Sequence, residues 1–258
     1  LAVISGTMEC LKMNTDALTM GRLRNFGTVD RLFLLLSIFC ATVYLATQSI
    51  QPFPGSIILK ALSIAPLAVL AFKLLGESGS RPKGIEWLRD RDNLLLGAAL
   101  SLSCLGDIFL DLPGNFFVQG LVSFLAAHLV YILLFVRHWP RPLRPGGKQL
   151  ALAAAVLIYS LLLANWLSPD LGQMAGPVMV YVCAITVMTV ATIFAGFSKS
   201  TVWVGAALFM LSDSMIAAGR FKTPVPISEY LIWVTYYLGQ YGIAVGFLRE
   251  KLGAKSSE

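Results

Sequence analysis

The sequence predicts an all-α membrane protein, a single bundle of eight transmembrane helices. Three observations carry that prediction. Of its 258 residues 57% are hydrophobic and only 13% charged, with a mean hydropathy of +0.74, against roughly 25% charged residues in a soluble domain. Apolar runs of about 18–20 residues recur along the chain, each long enough to cross a bilayer. The basic residues behind the net charge of +6 cluster in short loops between those runs, where they set topology and meet anionic headgroups. No RNA-binding aromatic pattern accompanies them, so no nucleic-acid partner is expected.

Hydropathy places the spans at Leu32–Ser49, Ser56–Leu75, Asn93–Leu112, Phe116–Val136, Leu150–Leu167, Met174–Gly196, Thr201–Ala218 and Glu229–Leu248. A polar N-terminal tail of residues 1–31 precedes them and a C-terminal tail of residues 249–258 follows. The first span is read as a retained helix rather than a signal peptide, since no small-residue cleavage site follows it. Pro66 and Pro177 interrupt the second and sixth spans, which neighbouring helices tolerate. The turn Leu112-Pro113-Gly114-Asn115 makes spans three and four an antiparallel hairpin. Seventeen basic residues fall on one side of this arrangement and two, Arg220 and Lys222, on the other, with Lys60 inside a span. The positive-inside rule then puts both termini in the cytosol.

Cysteines and histidines narrow the chemistry. Of Cys10, Cys40, Cys104 and Cys183, three lie in apolar spans and none forms a CxxC pair, so neither a disulfide framework nor a zinc knuckle is expected. Two histidines, His128 and His138, are too few for a three-histidine catalytic zinc.

The costly residues are two aspartates in separate spans, Asp107 in SCLGDIFLDL and Asp213 in LFMLSDSMIAAG. A charge at a helix centre costs at least about 2.5–3.5 kcal/mol and is retained where it faces a bundle interior, a cavity or a partner. Both spans run outward, and each aspartate lies about five residues, roughly 7–8 Å, before its outer end. Lys60, in the first turns of span two, shares that level. Tyr181, Tyr236, Tyr237 and Gln240 fall between it and the midplane, and His128 lies near the middle. Six spans thus bring polar groups to one depth band, which predicts a cavity open to the non-cytosolic leaflet and framed by spans two, three, four, six, seven and eight.

Each group also has a plainer reading. Asp107 can form a structural pair with Lys60, or Lys60 can snorkel outward as an anchor. Asp111 shares a face with Asp107 one turn on, but beside the turn at the interface. His128, on an apolar face with Phe124 and Tyr131, reads as a satisfied core histidine. Tyr236 and Tyr237 can be interfacial aromatics, and Ser212 is expected to bond its own helix backbone. His138, beside Trp139 and Pro140, reads as interface material. A faint four-plus-four echo, Gly97-Ala98-Ala99-Leu100 before Asp107 and Gly205-Ala206-Ala207-Leu208 before Asp213, fits a duplicated unit, although small-residue strings are common in membrane helices.

The segments SCLGDIFLDLP, FVQGLVSFLAAHLVYILLF, GAALFMLSDSMIAAGRF and YYLGQY, together with Lys60, resemble the YhhN family, whose animal members are the transmembrane protein 86 lysoplasmalogenases. The resemblance runs from span one to span eight. It implies a multi-spanning hydrolase of the endoplasmic reticulum that needs no metal or other cofactor. Its substrate would be a lysophospholipid, a lysoplasmalogen, whose vinyl ether bond is cleaved to a fatty aldehyde and glycerophosphoethanolamine or glycerophosphocholine. Carried over by residue, the catalytic pair is Asp107 and Asp213. Lys60, Asp111, His128, Tyr181, Ser212, Tyr236, Tyr237 and Gln240 are candidates for the substrate pocket.

That chemistry suits two carboxylates. A vinyl ether hydrolyses by protonation on carbon, water capture of the oxocarbenium ion and collapse of the hemiacetal. One carboxyl must stay protonated near neutral pH, which burial favours, and an ionised one can stabilise the cation and orient water. Glycosidases divide labour in a similar way. Which aspartate is the acid stays open. A proton-coupled lipid or small-molecule transporter would place aspartates at the same depth. An intramembrane aspartyl protease fits less well, since LGD stands where that family has GxGD.

Overall fold

Backbone groups inside a bilayer must satisfy one another, so long apolar segments become helices. The structure, a computed structural model, describes residues 26–53, 55–76, 86–197, 200–223 and 227–255. Eight helices are long and apolar enough to cross a membrane, and no strand occurs among the described residues. They are α1 (Thr28–Ala46), α2 (Ser56–Gly76), α3 (Glu86–Asp111), α4 (Phe117–Val136), α5 (Gly147–Leu167), α6 (Ala175–Phe194), α7 (Thr201–Phe221) and α8 (Ser228–Lys255). Residues 1–25 and 256–258 of the expected tails lie outside the described residues, as do Arg81, Lys83 and Lys199 of the basic loops.

Helix ends differ from the hydropathy reading where polar residues cap or prolong a helix. α1 begins at Thr28 because the Asp30 carboxylate, in its first turn, accepts the Gly27 N–H at 3.0 Å. A negative charge there also complements the helix dipole. α8 continues past Leu248 to Lys255, so the expected C-terminal tail starts out as helix. Pro66 sits inside a continuous α2. Pro177, expected to interrupt its span, falls in the first turn of α6, where a missing N–H costs no intrahelical bond.

Neighbours in sequence pack as antiparallel neighbours in space: α1 on α2, α2 on α3, α3 on α4 and, most extensively, α7 on α8. α8 also meets α1 and α2, and α6 packs on α4. The α7–α8 contact is backbone against backbone. A Cβ on Gly205 would lie 2.7 Å from the Gly239 carbonyl oxygen, and one on Gly239 would lie 2.9 Å from that of Gly205. Glycine pairs of this kind let helices approach to van der Waals contact of their main chains. α5 is the outer helix: 17% of its apolar window is buried, against 61% for α6.

Candidate functional site

Where the ends of α1, α3 and α7 meet the starts of α2 and α8, they leave a polar cavity of about 370 Å³. Lys60, Asp107, Asp111, Ser212, Asp213 and Tyr236 all stand on its wall. Asp107 and Asp213 therefore face one space from separate helices. They sit at different distances from their helix ends, four residues for Asp107 and eight for Asp213, because α7 runs on to Phe221.

A tyrosine from another helix holds each of the two aspartates. Tyr236 of α8 donates its hydroxyl to Asp107 Oδ2 at 2.6 Å, and Tyr181 of α6 donates to Asp213 Oδ2. Lys60 Nζ lies 2.6 Å from Asp111 Oδ1 and 3.9 Å from Asp107 Oδ1. The expected structural pair thus forms primarily with Asp111, which also accepts the Tyr44 hydroxyl at 2.9 Å. The cation lies beside Asp107, while Asp213 has an imidazole next to it, with His128 Nε2 at 3.7 Å.

An aromatic floor supports the carboxylates. Phe124 meets Tyr236 and Phe209 edge-on at 5.8 and 6.0 Å, and His128 meets Tyr181 edge-on at 5.1 Å. Gly106, the residue before Asp107, makes this floor possible, because a Cβ there would lie 2.6 Å from the Phe124 ring. The LGD sequence therefore sets an aromatic wall beside its carboxylate.

Several expectations change. His128 is fully buried but not satisfied: neither ring nitrogen has a hydrogen-bond partner among the described residues. Ser212 bonds not its own helix but the Ile232 carbonyl of α8, at 3.0 Å, tying α7 to α8 beside the cavity. Gln240 is fully buried away from the cavity and accepts the Tyr131 hydroxyl at 2.7 Å. Tyr237 also turns away, its hydroxyl 3.0 Å from Ser37 Oγ of α1. One residue of offset, about 100° around the helix axis, explains this, so that Tyr236 and Tyr237 point to different sides of α8.

The frame changes too. Span six touches the cavity through Tyr181 and Asp213 rather than lining it. Span one, not expected there, contributes Tyr44, followed by Gln48 and Gln51 of the connection to α2. Glu229 and Trp233 of α8 and Ser56 of α2 complete the polar rim. These residues sit near helix ends, where polar side chains are unexceptional and carry no contrast in the sequence. No trio of His, Cys, Asp and Glu among the described residues stands close enough together to hold a metal ion.

The YhhN family model matches residues 55–247, from the start of α2 almost to the end of α8. The chain belongs to the YhhN family. A Mycobacterium tuberculosis relative named lysoplasmalogenase is 32% identical over 213 residues, covering 80% of this chain and 78% of the relative. Lysoplasmalogenase TMEM86B of Sus scrofa is 36% identical over 155 residues, 58% of this chain and 62% of its own length. Its Homo sapiens counterpart is 35% identical over 158 residues, covering 60% and 64%. No solved structure matches the chain. The YhhN match takes in Lys60, Asp107, Asp111, Asp213 and Tyr236, and leaves α1, with Tyr44, outside.

Proposed function

We propose that this YhhN protein hydrolyses the vinyl ether bond of lysoplasmalogens within the membrane, releasing a fatty aldehyde and glycerophosphoethanolamine or glycerophosphocholine. The observation that carries the reading is the pair of carboxylates, each held by another helix's tyrosine, on the wall of one polar cavity. The relatives' names supply the reaction, and the pair supplies groups suited to it.

One carboxyl gives its proton to the vinyl carbon distal to the ether oxygen. The double-bond electrons form the new C–H bond and an oxocarbenium ion remains. The other carboxyl, ionised, stabilises that cation and takes a proton from the water that attacks it. The resulting hemiacetal then breaks its C–O bond to the glycerol oxygen, which takes the proton held by the second carboxyl, while the hemiacetal hydroxyl gives its proton to the first carboxylate as the aldehyde leaves. One water is consumed and the first carboxyl is reprotonated. Two hydroxyl donors keep both carboxyl groups oriented throughout, the kind of fixed polar surrounding that stabilises charge as it develops. Lys60 suits the substrate phosphate as a point charge, and the polar rim suits glycerol oxygens. The seventeen-to-two bias of basic residues supports a cavity open to the non-cytosolic leaflet, and the resemblance to the animal members supports an endoplasmic-reticulum membrane.

The test is aldehyde release by purified protein from a defined lysoplasmalogen. Asp107→Asn and Asp213→Asn keep size and shape, and each should lower kcat by about 10²–10⁴-fold, the usual contribution of an acid–base group. Full release by either variant removes that aspartate from the chemistry. Transport of substrate into liposomes without aldehyde would instead favour a proton-coupled carrier.

A further inference from the structure

Asp213 stands on two spaces, not one. Beside the polar cavity, an apolar slot opens between α4, α6 and α7, with Leu163 of α5 at its edge. Four residues line both spaces: Leu110, Phe124, Asp213 and Ile216. The slot is narrow, about 50 Å³ against about 370 Å³ for the cavity. Its α7 wall runs from Met210 to Phe221, about 16 Å at 1.5 Å per residue. Near the helix ends the Phe117 and Phe221 rings meet edge-on at 6.1 Å.

We infer that this slot seats the substrate's alkenyl chain, while the glycerophosphate end occupies the polar cavity. The inference rests on the activity proposed above and adds the place of the chain. A long, narrow, apolar slot excludes a phosphate or a glycerol and suits an unbranched hydrocarbon. The shared wall joins it to the cavity at a carboxyl group. A lysoplasmalogen is built in the same order, with a polar end, a vinyl ether and then a chain. Laid across the seam, it puts the bond to be broken against Asp213.

A second apolar groove of about 360 Å³ lies between α1 and α8, along Ile38, Thr42, Leu45 and Tyr241. It is roomier but poorly connected. Trp233 is the one residue common to its lining and that of the cavity. That side chain is buried, and its indole N–H donates to the Ala41 carbonyl at 3.0 Å, closing the passage. Among the described residues no carboxyl group lines this groove.

The two grooves are distinguished by chain-length selectivity. Ala217→Phe and Leu121→Trp fill the slot, and Thr42→Trp fills the α1–α8 groove. Aldehyde release is measured with hexadecenyl and octenyl lysoplasmalogens. Binding of the matching saturated alkyl lysophospholipids, which lack the reactive double bond, is measured by calorimetry on the same detergent-purified proteins. Filling the slot should lower kcat/KM for the hexadecenyl substrate by about 10–100-fold, the scale of one displaced methylene in an apolar pocket, with a much smaller loss for the octenyl one. The long saturated analogue should lose its binding advantage in parallel, and Thr42→Trp should leave both profiles as in the wild type. Unchanged selectivity in folded Ala217→Phe and Leu121→Trp, or a shift caused by Thr42→Trp instead, overturns the inference. Absence of aldehyde from the wild type would sink the proposed activity alone, because the binding measurements still report on the slot.

Discussion

The two ends of the bundle use similar charged groups to opposite ends. Away from the cavity, ionic contacts fasten helices together. Lys73 of α2 meets Asp30 of α1 at 2.6 Å, Arg137 after α4 meets Asp92 of α3 at 2.8 Å, and Lys251 of α8 donates to Asn93 of α3 at 3.0 Å. His138 completes that end, 3.5 Å from Asp92 and packed against Phe197 and Phe247. On the cavity wall one lysine serves two aspartates and a third has no lysine or arginine paired with it among the described residues, so a space lined by charge stays open. One end spends its charges on holding the bundle together, whereas those on the cavity wall stay available to a substrate. Such trade-offs are usual where activity needs a less stable site.

The sharpest way to break this contrast is at Lys60. Lys60→Met should cut aldehyde release by roughly 10²-fold, the scale seen when one stabilising donor is removed. Lys60→Met/Asp111→Asn removes both partners of the close ion pair and leaves no unpaired carboxylate at position 111. It should melt near the wild-type temperature while activity stays low. Recovery of activity in the double variant would reduce Lys60 to a neutraliser of Asp111, no different from the lysine at the other end.

The opposite end should respond in the reverse sense. Asp30→Asn gives up the Lys73 pair and weakens the start of α1. It should lower stability by about 1–3 kcal/mol, read as a lower melting temperature in detergent, with kcat unchanged. A fall in kcat without loss of stability would show that the two ends are coupled. Tyr237→Phe is the mildest probe, since it removes only the hydroxyl contact with Ser37. Its expected cost is about 0.5–1.5 kcal/mol with wild-type aldehyde release, whereas a site tyrosine such as Tyr236 should affect activity.

Depth was legible in the sequence, and direction was not. Charge in an apolar run marks its own cost, so Asp107, Asp213 and Lys60 stood out before any geometry. Orientation from basic loops placed them at one end of the bundle, where the structure gathers them. Rotation about each helix axis leaves a weaker trace when all faces are apolar. That is why Tyr237 reads with Tyr236, although only Tyr236 faces the cavity, whereas Gln240 shares the Tyr236 face but lies one turn further from the cavity, against Tyr131. Ser212 reaches across to α8 for a related reason: its choice of carbonyl depends on how closely the glycine pair lets that helix approach. The rim from α1 leaves no such trace, because Tyr44, Gln48 and Gln51 lie at a span end, where polarity carries no penalty.

The glycine contact between α7 and α8 has a mechanical consequence. With main chains touching at Gly205 and Gly239, the two helices have no side-chain cushion over which to slide, so they travel as one body. That body carries Asp213 and also Tyr236, the hydroxyl that orients Asp107 on α3. Any rocking of the pair against α3 therefore shifts one carboxyl group and the grip on the other in a single stroke, giving the site one coordinate of adjustment where two aspartates on separate helices would otherwise have two.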